Sequence, residues 1–166
     1  MILAANELKH NRLEVFISKY FNKLVYYDLE AKQILEQRPM GALPKTVICF
    51  DSQLEFEIFK AIKEYFLIEH INVHFKVELK PKTQYSMSMN YFVDFRVKVT
   101  DGDFLYIEAK GLITKEASIK IKMLEIVRPD IRSNLIIVSQ KEQHYFGSQH
   151  PPSRTIKYLR ELLSIL

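Results

Sequence analysis

Two consecutive segments of alternating apolar and polar residues constrain the fold of this chain most. The first covers residues 90–99, the second covers residues 104–110, and Asp101-Gly102 lies between them. Alternation with a period of two is typical of β-strands, and an Asp-Gly pair between two such runs is typical of a tight turn. The pattern therefore predicts a β-hairpin.

The apolar residues also select the register of this hairpin. A two-residue turn at Asp101-Gly102 would place the apolar side chains of one strand beside the charged side chains of the other, and so bury charge. A three-residue loop over 100–102, with Gly102 in the left-handed position of a G1 bulge, instead places Phe95 opposite Ile107. All the apolar side chains then share one face, so this register is the predicted one.

The predicted register brings two acidic side chains together on the polar face. Asp94 lies opposite Glu108, and Lys110 follows one step along the same face. Two carboxylates about 5 Å apart repel by roughly 3 kcal/mol at an effective dielectric constant near 20. Because a bound cation removes that repulsion, the three residues are candidates for a divalent-metal site. The alternative is a solvated face on which neighbouring lysine and arginine side chains neutralise the acids, although aromatic residues on this face favour a covered cleft.

The order of the other elements predicts an α/β layer fold. The predicted elements are a strand at 47–50, a helix from Asp51 or Ser52 to about Ile68, a strand at 73–79, a polar loop at 82–88, the hairpin, a helix at 114–127, a strand at 134–138 and a closing helix at 153–166. The chain before residue 46 has a different pattern. Apolar residues at helical spacing predict an amphipathic helix from Leu13 to Leu24, a short helix is predicted from Asp28, and the Pro- and Gly-containing run 38–45 is typical of a linker. We therefore predict a helical N-terminal extension over residues 1–45 and a main domain over residues 46–166.

Composition limits the classes of function. The chain has 166 residues, of which 48% are hydrophobic and 27% charged, and its 24 basic residues against 20 acidic ones favour an anionic partner only weakly. No segment approaches the roughly 18 apolar residues that span a bilayer, so we expect a cytoplasmic protein without membrane association. Cys49 is the only cysteine, which excludes an internal disulfide. A transition-metal site at His70 and His74 is an alternative that the predicted helix end between them disfavours.

The predicted helices supply further candidate residues. Glu55 falls on the inward stripe of its helix and is a candidate fourth acid, while Ser52 to Glu55 also matches the capping-box pattern. Lys115, Lys120 and Lys122, on the helix after the hairpin, are candidates for contacts with a phosphate backbone. Exposed lysines are more often simply solvated, so both interpretations stay open.

Three short segments carry a resemblance to a nuclease superfamily: residues 50–55, 91–95 and 107–111. With Asp94 as the motif aspartate and Glu108-Ala109-Lys110 as the ExK motif, the chain resembles the PD-(D/E)xK superfamily. It is most similar to phage-type endonucleases, Holliday junction resolvase-like proteins and transposon-end-cutting endonuclease subunits. The resemblance covers residues 47–138, and Val93 stands where the family often has proline.

The resemblance implies a restriction-endonuclease-like core, αβββαβ, with a mixed central sheet flanked by helices. It implies a Mg²⁺-dependent DNA endonuclease, with Mn²⁺ able to substitute, that acts on branched DNA or on transposon or phage DNA ends. Asp94, Glu108 and the carbonyl of Ala109 would hold the metal, Glu55 would bind it directly or through water, and Lys110 would orient the attacking water. We also expect a homodimer or a partner protein at the N-terminal extension. A non-cleaving nucleic-acid-binding or assembly subunit with the same fold is the alternative, since one fold hosts many functions.

Overall fold

A computed structural model describes residues 24–142 and 152–166. The described residues divide into two compact units, one up to Glu57 and the other from Ile58 onward, and the described part of each unit contains one sheet. The predicted amphipathic helix lies outside the described residues except for its last residue, Leu24.

The first unit contains a three-stranded antiparallel sheet. Its strands are β1 (Val25–Asp28), β2 (Gln33–Leu35) and β3 (Val47–Phe50), in the order β2-β1-β3. The prediction of a short helix from Asp28 is therefore wrong. The carboxylate of Asp28 accepts hydrogen bonds from the amides of Glu30 and Ala31 at 2.9 and 3.2 Å, which starts a turn instead, and the β-branched and aromatic residues of β1 favour a strand.

The strand β3 lies in the first unit. β3 pairs with β1 over its whole length. The ring of Phe50 also packs against that of Phe56, with 5.6 Å between their centroids. The division between the two compact units falls between Glu57 and Ile58, inside helix α1 (Gln53–Lys63).

The second unit contains most of the predicted elements around a mixed sheet. After α1 come a 3-10 turn (Ile68–His70), β4 (Ile71–Lys80), β5 (Met89–Lys98), β6 (Phe104–Ala109), α2 (Lys115–Val127), α3 (Pro129–Ser133), β7 (Leu135–Val138) and α4 (Ile156–Leu163). The sheet order is β4-β5-β6-β7, with antiparallel pairing except between β6 and β7, which are parallel. The predicted mixed sheet flanked by helices is thus confirmed. Within the described ranges, no helix combines the length and apolar character that crossing a membrane requires.

Helix α1 is shorter than predicted, α3 was not predicted, and α4 covers Ile156–Leu163 of the predicted range 153–166. α1 ends at Lys63 and not near Ile68, because its last turn tightens into hydrogen bonds from Glu64 to Ala61 and from Tyr65 to Ile62. The short helix α3 was not predicted. Its first residue is Pro129, which not only stops α2 but also suits the first position of a new helix.

The buried residues of β5 pack against different helices on the two sides of Asp94. Tyr91 and Val93 belong to an apolar cluster with residues of α2 and α3, among them Leu124. Phe95, which is fully buried, instead stacks on Phe59 of α1 with 6.4 Å between ring centroids. Asp94 therefore lies between a segment of β5 that packs on α2 and α3 and a segment that packs on α1.

Candidate metal centre

The β5–β6 hairpin has the register that its apolar pattern predicts. Phe95 pairs with Ile107, and the amide of Val99 donates to the carbonyl of Asp103 at 3.0 Å, which closes a three-residue loop. Gly102 has a φ of 105°, a conformation that L side chains rarely adopt. The predicted G1-type loop is confirmed, and it determines which polar residues lie across from each other.

The backbone pairing of β5 and β6 ends just before Asp94 and Glu108, and side-chain carboxylates form the next hydrogen bonds between the two strands. These residues lie one step beyond the last backbone pair. The amide of Asp94 donates to Glu108 Oε2 at 3.3 Å, and the amide of Ala109 donates to Asp94 Oδ2 at 2.6 Å. Each carboxylate is thereby tied to the backbone of the opposite strand. Such reciprocal bonds hold two acidic groups together at fixed positions.

Strand β6 continues past this point by pairing with β7. Glu108 pairs with Ile137, and the amide of Lys110 donates to the carbonyl of Val138 at 2.8 Å. The two strands β5 and β7 thus hold β6 from opposite sides. The backbone of the predicted ExK motif is fixed along its length, which preorganises its side chains.

Lys110 and Glu108 form an ion pair between Lys110 Nζ and Glu108 Oε1. The Glu108 side chain is only 1% exposed, whereas that of Lys110 is 25% exposed. Burial raises the pKa of the Glu108 carboxyl, and the charge of Lys110 is the main opposing effect. The structure therefore brings Asp94, Glu108 and Lys110 together, as the hairpin register predicts.

A pocket of about 300 Å³ opens beside this cluster. It is lined by Glu108 of β6, by Lys110 just after β6, by residues of β5 and by the first turns of α2. Thr114 caps that helix, since its hydroxyl accepts the amide of Ala117 at 3.1 Å. The pocket thus joins the buried acid, its lysine and the positive end of a helix in one space.

Tyr91 is a pocket residue that the sequence reasoning did not select. It is 4% exposed, and its hydroxyl lies beside the Glu108 carboxyl, with which it interacts. Burial raises the pKa of the phenol, and the negative charge of Glu108 raises it further, so the hydroxyl stays protonated. A buried donor of this kind calls for a partner. In the sequence, the indication of a special role for Tyr91 is that it is the one residue with a polar group among the inward-facing apolar residues of β5.

The three candidate DNA-contacting lysines of α2 have different surroundings. Lys120 lines the pocket and pairs with Glu116 at 2.6 Å. Lys115 and Lys122 are exposed on the same helix. Of the three, Lys120 is therefore the one that the structure brings to the candidate centre.

Glu55 belongs to the first unit, where its carboxylate caps helix α1. Its Oε1 accepts the hydroxyl of Ser52 at 2.9 Å, and its Oε2 accepts the amide of Asp51 at 3.0 Å. The amide of Glu55 in turn donates to the Ser52 hydroxyl at 3.2 Å. This arrangement is a variant of the predicted capping box, in which the glutamate reaches the residue before the N-cap.

The two histidines of the alternative metal site lie on different elements. His70 ends the 3-10 turn, and His74 lies within β4 between the residues that pair with Phe95 and Val93 of β5. The sequence likewise predicted that a helix ends between them. His74 has a φ of 53°, which is uncommon for a histidine inside a strand. Backbone strain of this kind is common at functional sites, so the φ of His74 supports a functional site near Asp94.

Comparison with known protein families places residues 44–144 in a single family. That range covers more than half of the chain and includes Asp94, Glu108, Lys110 and the candidate lysines of α2. Searches of the curated proteins and of the solved structures returned no significant match. The chain therefore belongs to the family described as "Protein of unknown function (DUF1064)".

Proposed function

We propose that this protein is a Mg²⁺-dependent DNA endonuclease of the PD-(D/E)xK type. The observation that carries the proposal is the cluster of Asp94, Glu108 and Lys110 at the end of the β5–β6 backbone pairing. Two carboxylates cross-linked to opposite strands, with an ammonium group beside the more buried one, suit metal-assisted phosphodiester hydrolysis. These three residues all lie in the second unit.

The order of elements supports the same assignment. Helix α1, strands β4, β5 and β6, helix α2 and strand β7 follow one another as αβββαβ, apart from the short helix α3. The acids and the lysine lie on the second and third of these strands. This arrangement agrees with what the resemblance of residues 47–138 implies for a restriction-endonuclease-like core.

The donor set fits a hard divalent cation. Asp94 and Glu108 offer carboxylate oxygens, and the backbone of Ala109 next to them offers a carbonyl oxygen. Mg²⁺ favours one or two carboxylates together with water and phosphate oxygens, and Mn²⁺ accepts the same ligands. When bound, the metal would polarise the scissile phosphate and lower the pKa of a water molecule.

Lys110 would act on the attacking water. Its ammonium contacts Glu108, and a quarter of its side chain is exposed where it lines the pocket. A cation held there would orient a water molecule and stabilise the negative charge that develops on the phosphate. The protonated hydroxyl of Tyr91 adds a neutral donor to the same pocket.

A cleavage assay on several DNA structures tests the proposal. Purified protein is incubated with Holliday junction, flap, nicked and linear duplex DNA at one stated salt concentration, with Mg²⁺, Mn²⁺ or EDTA. We expect cleavage of at least one substrate with either metal and none with EDTA, and products with 5′-phosphate and 3′-hydroxyl ends. Binding of these substrates without cleavage in any metal would contradict the proposal and favour a non-cleaving binding subunit.

A further inference from the structure

The turn between β4 and β5, residues 81–88, presents large apolar side chains to solvent. Tyr85 is 89% exposed and Met87 is 79% exposed. Burying such side chains stabilises a protein, and the fold gains almost none of that stabilisation here. Neighbouring exposed apolar side chains of this size mark interaction sites.

The turn holds Tyr85 at a defined position. The amide of Thr83 donates to the carbonyl of Ser86 at 3.0 Å, and the hydroxyl oxygens of these two residues lie 2.9 Å apart. The amide of Tyr85 donates to the Thr83 hydroxyl at 3.3 Å. Because the backbone around the ring is already ordered, binding through the ring loses little further conformational freedom.

The charge around the turn is positive. Lys80 and Lys82 are exposed beside it, and residues 80–93 contain no aspartate or glutamate. An aromatic ring flanked by cationic side chains is the surface that binds a nucleic-acid base together with its phosphates. A purely apolar protein partner would not call for the two lysines.

The turn is connected directly to the candidate metal centre. Strand β5 leads from Met89, next to the turn, to Asp94. The five residue steps from Met89 to Asp94 span about 17 Å of extended strand, and Tyr85 precedes Met89 in the turn. The turn therefore reaches bases at some distance from the bond that the centre would cut.

We propose that Tyr85 stacks on an unpaired base of the DNA substrate, with Lys80 and Lys82 contacting the adjoining phosphates. This inference rests on the proposed nuclease function and narrows its substrate to DNA that carries a single-stranded tail, flap or branch near the cleavage point.

Binding to a tailed duplex in EDTA tests the stacking without any cleavage. The single-stranded tail carries 2-aminopurine at successive positions, and affinity is measured by fluorescence anisotropy. Tyr85→Ala is expected to weaken binding about 10-fold, in line with the loss of one base–aromatic stack. Tyr85→Phe keeps the ring and is expected to bind within twofold of wild type, as is Gln84→Ala, the matched control in the same turn. Quenching of 2-aminopurine at one tail position is expected for wild type and Tyr85→Phe but not for Tyr85→Ala.

The outcomes separate this inference from the nuclease proposal. Equal binding and equal quenching by wild type and Tyr85→Ala would overturn the stacking, and cleavage by both proteins in Mn²⁺ would leave the nuclease proposal standing. Binding that depends on Tyr85 without cleavage in Mn²⁺ would support the stacking and overturn the nuclease proposal.

Discussion

Replacing Asp94 by asparagine is expected to reduce Mn²⁺-dependent DNA cleavage by roughly 1000-fold, because under the proposed mechanism it removes a metal ligand that contributes several kcal/mol to the transition state. Asp94 Oδ2 accepts the amide of Ala109 at 2.6 Å, and the amide oxygen of asparagine is able to accept the same bond. The hairpin should therefore stay intact. Single-turnover rates at saturating protein measure the effect on cleavage, and Mn²⁺ titration measures the loss of metal affinity.

Asp103→Asn is the matched control for this substitution. Asp103 lies on the same hairpin but in its exposed loop, where Oδ2 accepts the Thr100 hydroxyl at 2.7 Å. We expect the control to cleave like wild type and both variants to have wild-type circular dichroism. Cleavage by Asp94→Asn at the wild-type rate would show that this carboxylate has no part in the reaction.

Replacing Lys110 by methionine is expected to lower the cleavage rate about 100- to 1000-fold while Mn²⁺ binding persists, as is typical when one charge-stabilising donor is removed. The substitution also leaves the Glu108 carboxylate, which is 1% exposed, without its cation. Removing one partner of a buried ion pair lowers stability by up to about 3–5 kcal/mol, and partial exposure of Lys110 reduces that figure here. Urea unfolding with and without Mn²⁺ measures this effect, and the metal is expected to restore part of the lost stability.

Lys98→Met provides the comparison for Lys110. Lys98 pairs with the exposed Asp101 at 2.6 Å, at the loop end of the hairpin. We expect this variant to retain the wild-type rate, because an exposed ion pair contributes little to stability. If Lys110→Met also retained the wild-type rate at saturating Mn²⁺, the role given to this ammonium group would be wrong.

The register of the β5–β6 hairpin could be predicted because its apolar residues allow only one pairing that buries no charge. From that pairing followed the position of Asp94 opposite Glu108, with Lys110 beside them. The loop conformation followed as well, because only glycine readily adopts the φ of 105° seen at Gly102. An alternating apolar pattern therefore determines the register and the loop of a hairpin from residues that lie close together in the sequence.

The remaining features depend on contacts that a local pattern does not contain. The carboxylate bonds to the amides of Asp94 and Ala109 arise only where β5 and β6 separate. The position of Tyr91 in the pocket depends on how β5 packs with α2. Strand β1 replaces the predicted helix at Asp28 because it pairs with β3, which lies about twenty residues further along the chain.

The most direct test of the proposed centre compares wild type with Glu108→Gln on flap DNA in Mn²⁺. Glutamine has nearly the same shape as the buried glutamate but lacks the charge that would hold a metal. We predict that wild type cuts the flap DNA in Mn²⁺ and not in EDTA, and that the folded Glu108→Gln variant leaves it intact in both. Equal cutting by the two proteins would contradict the claim that Glu108 belongs to a metal-dependent nuclease centre.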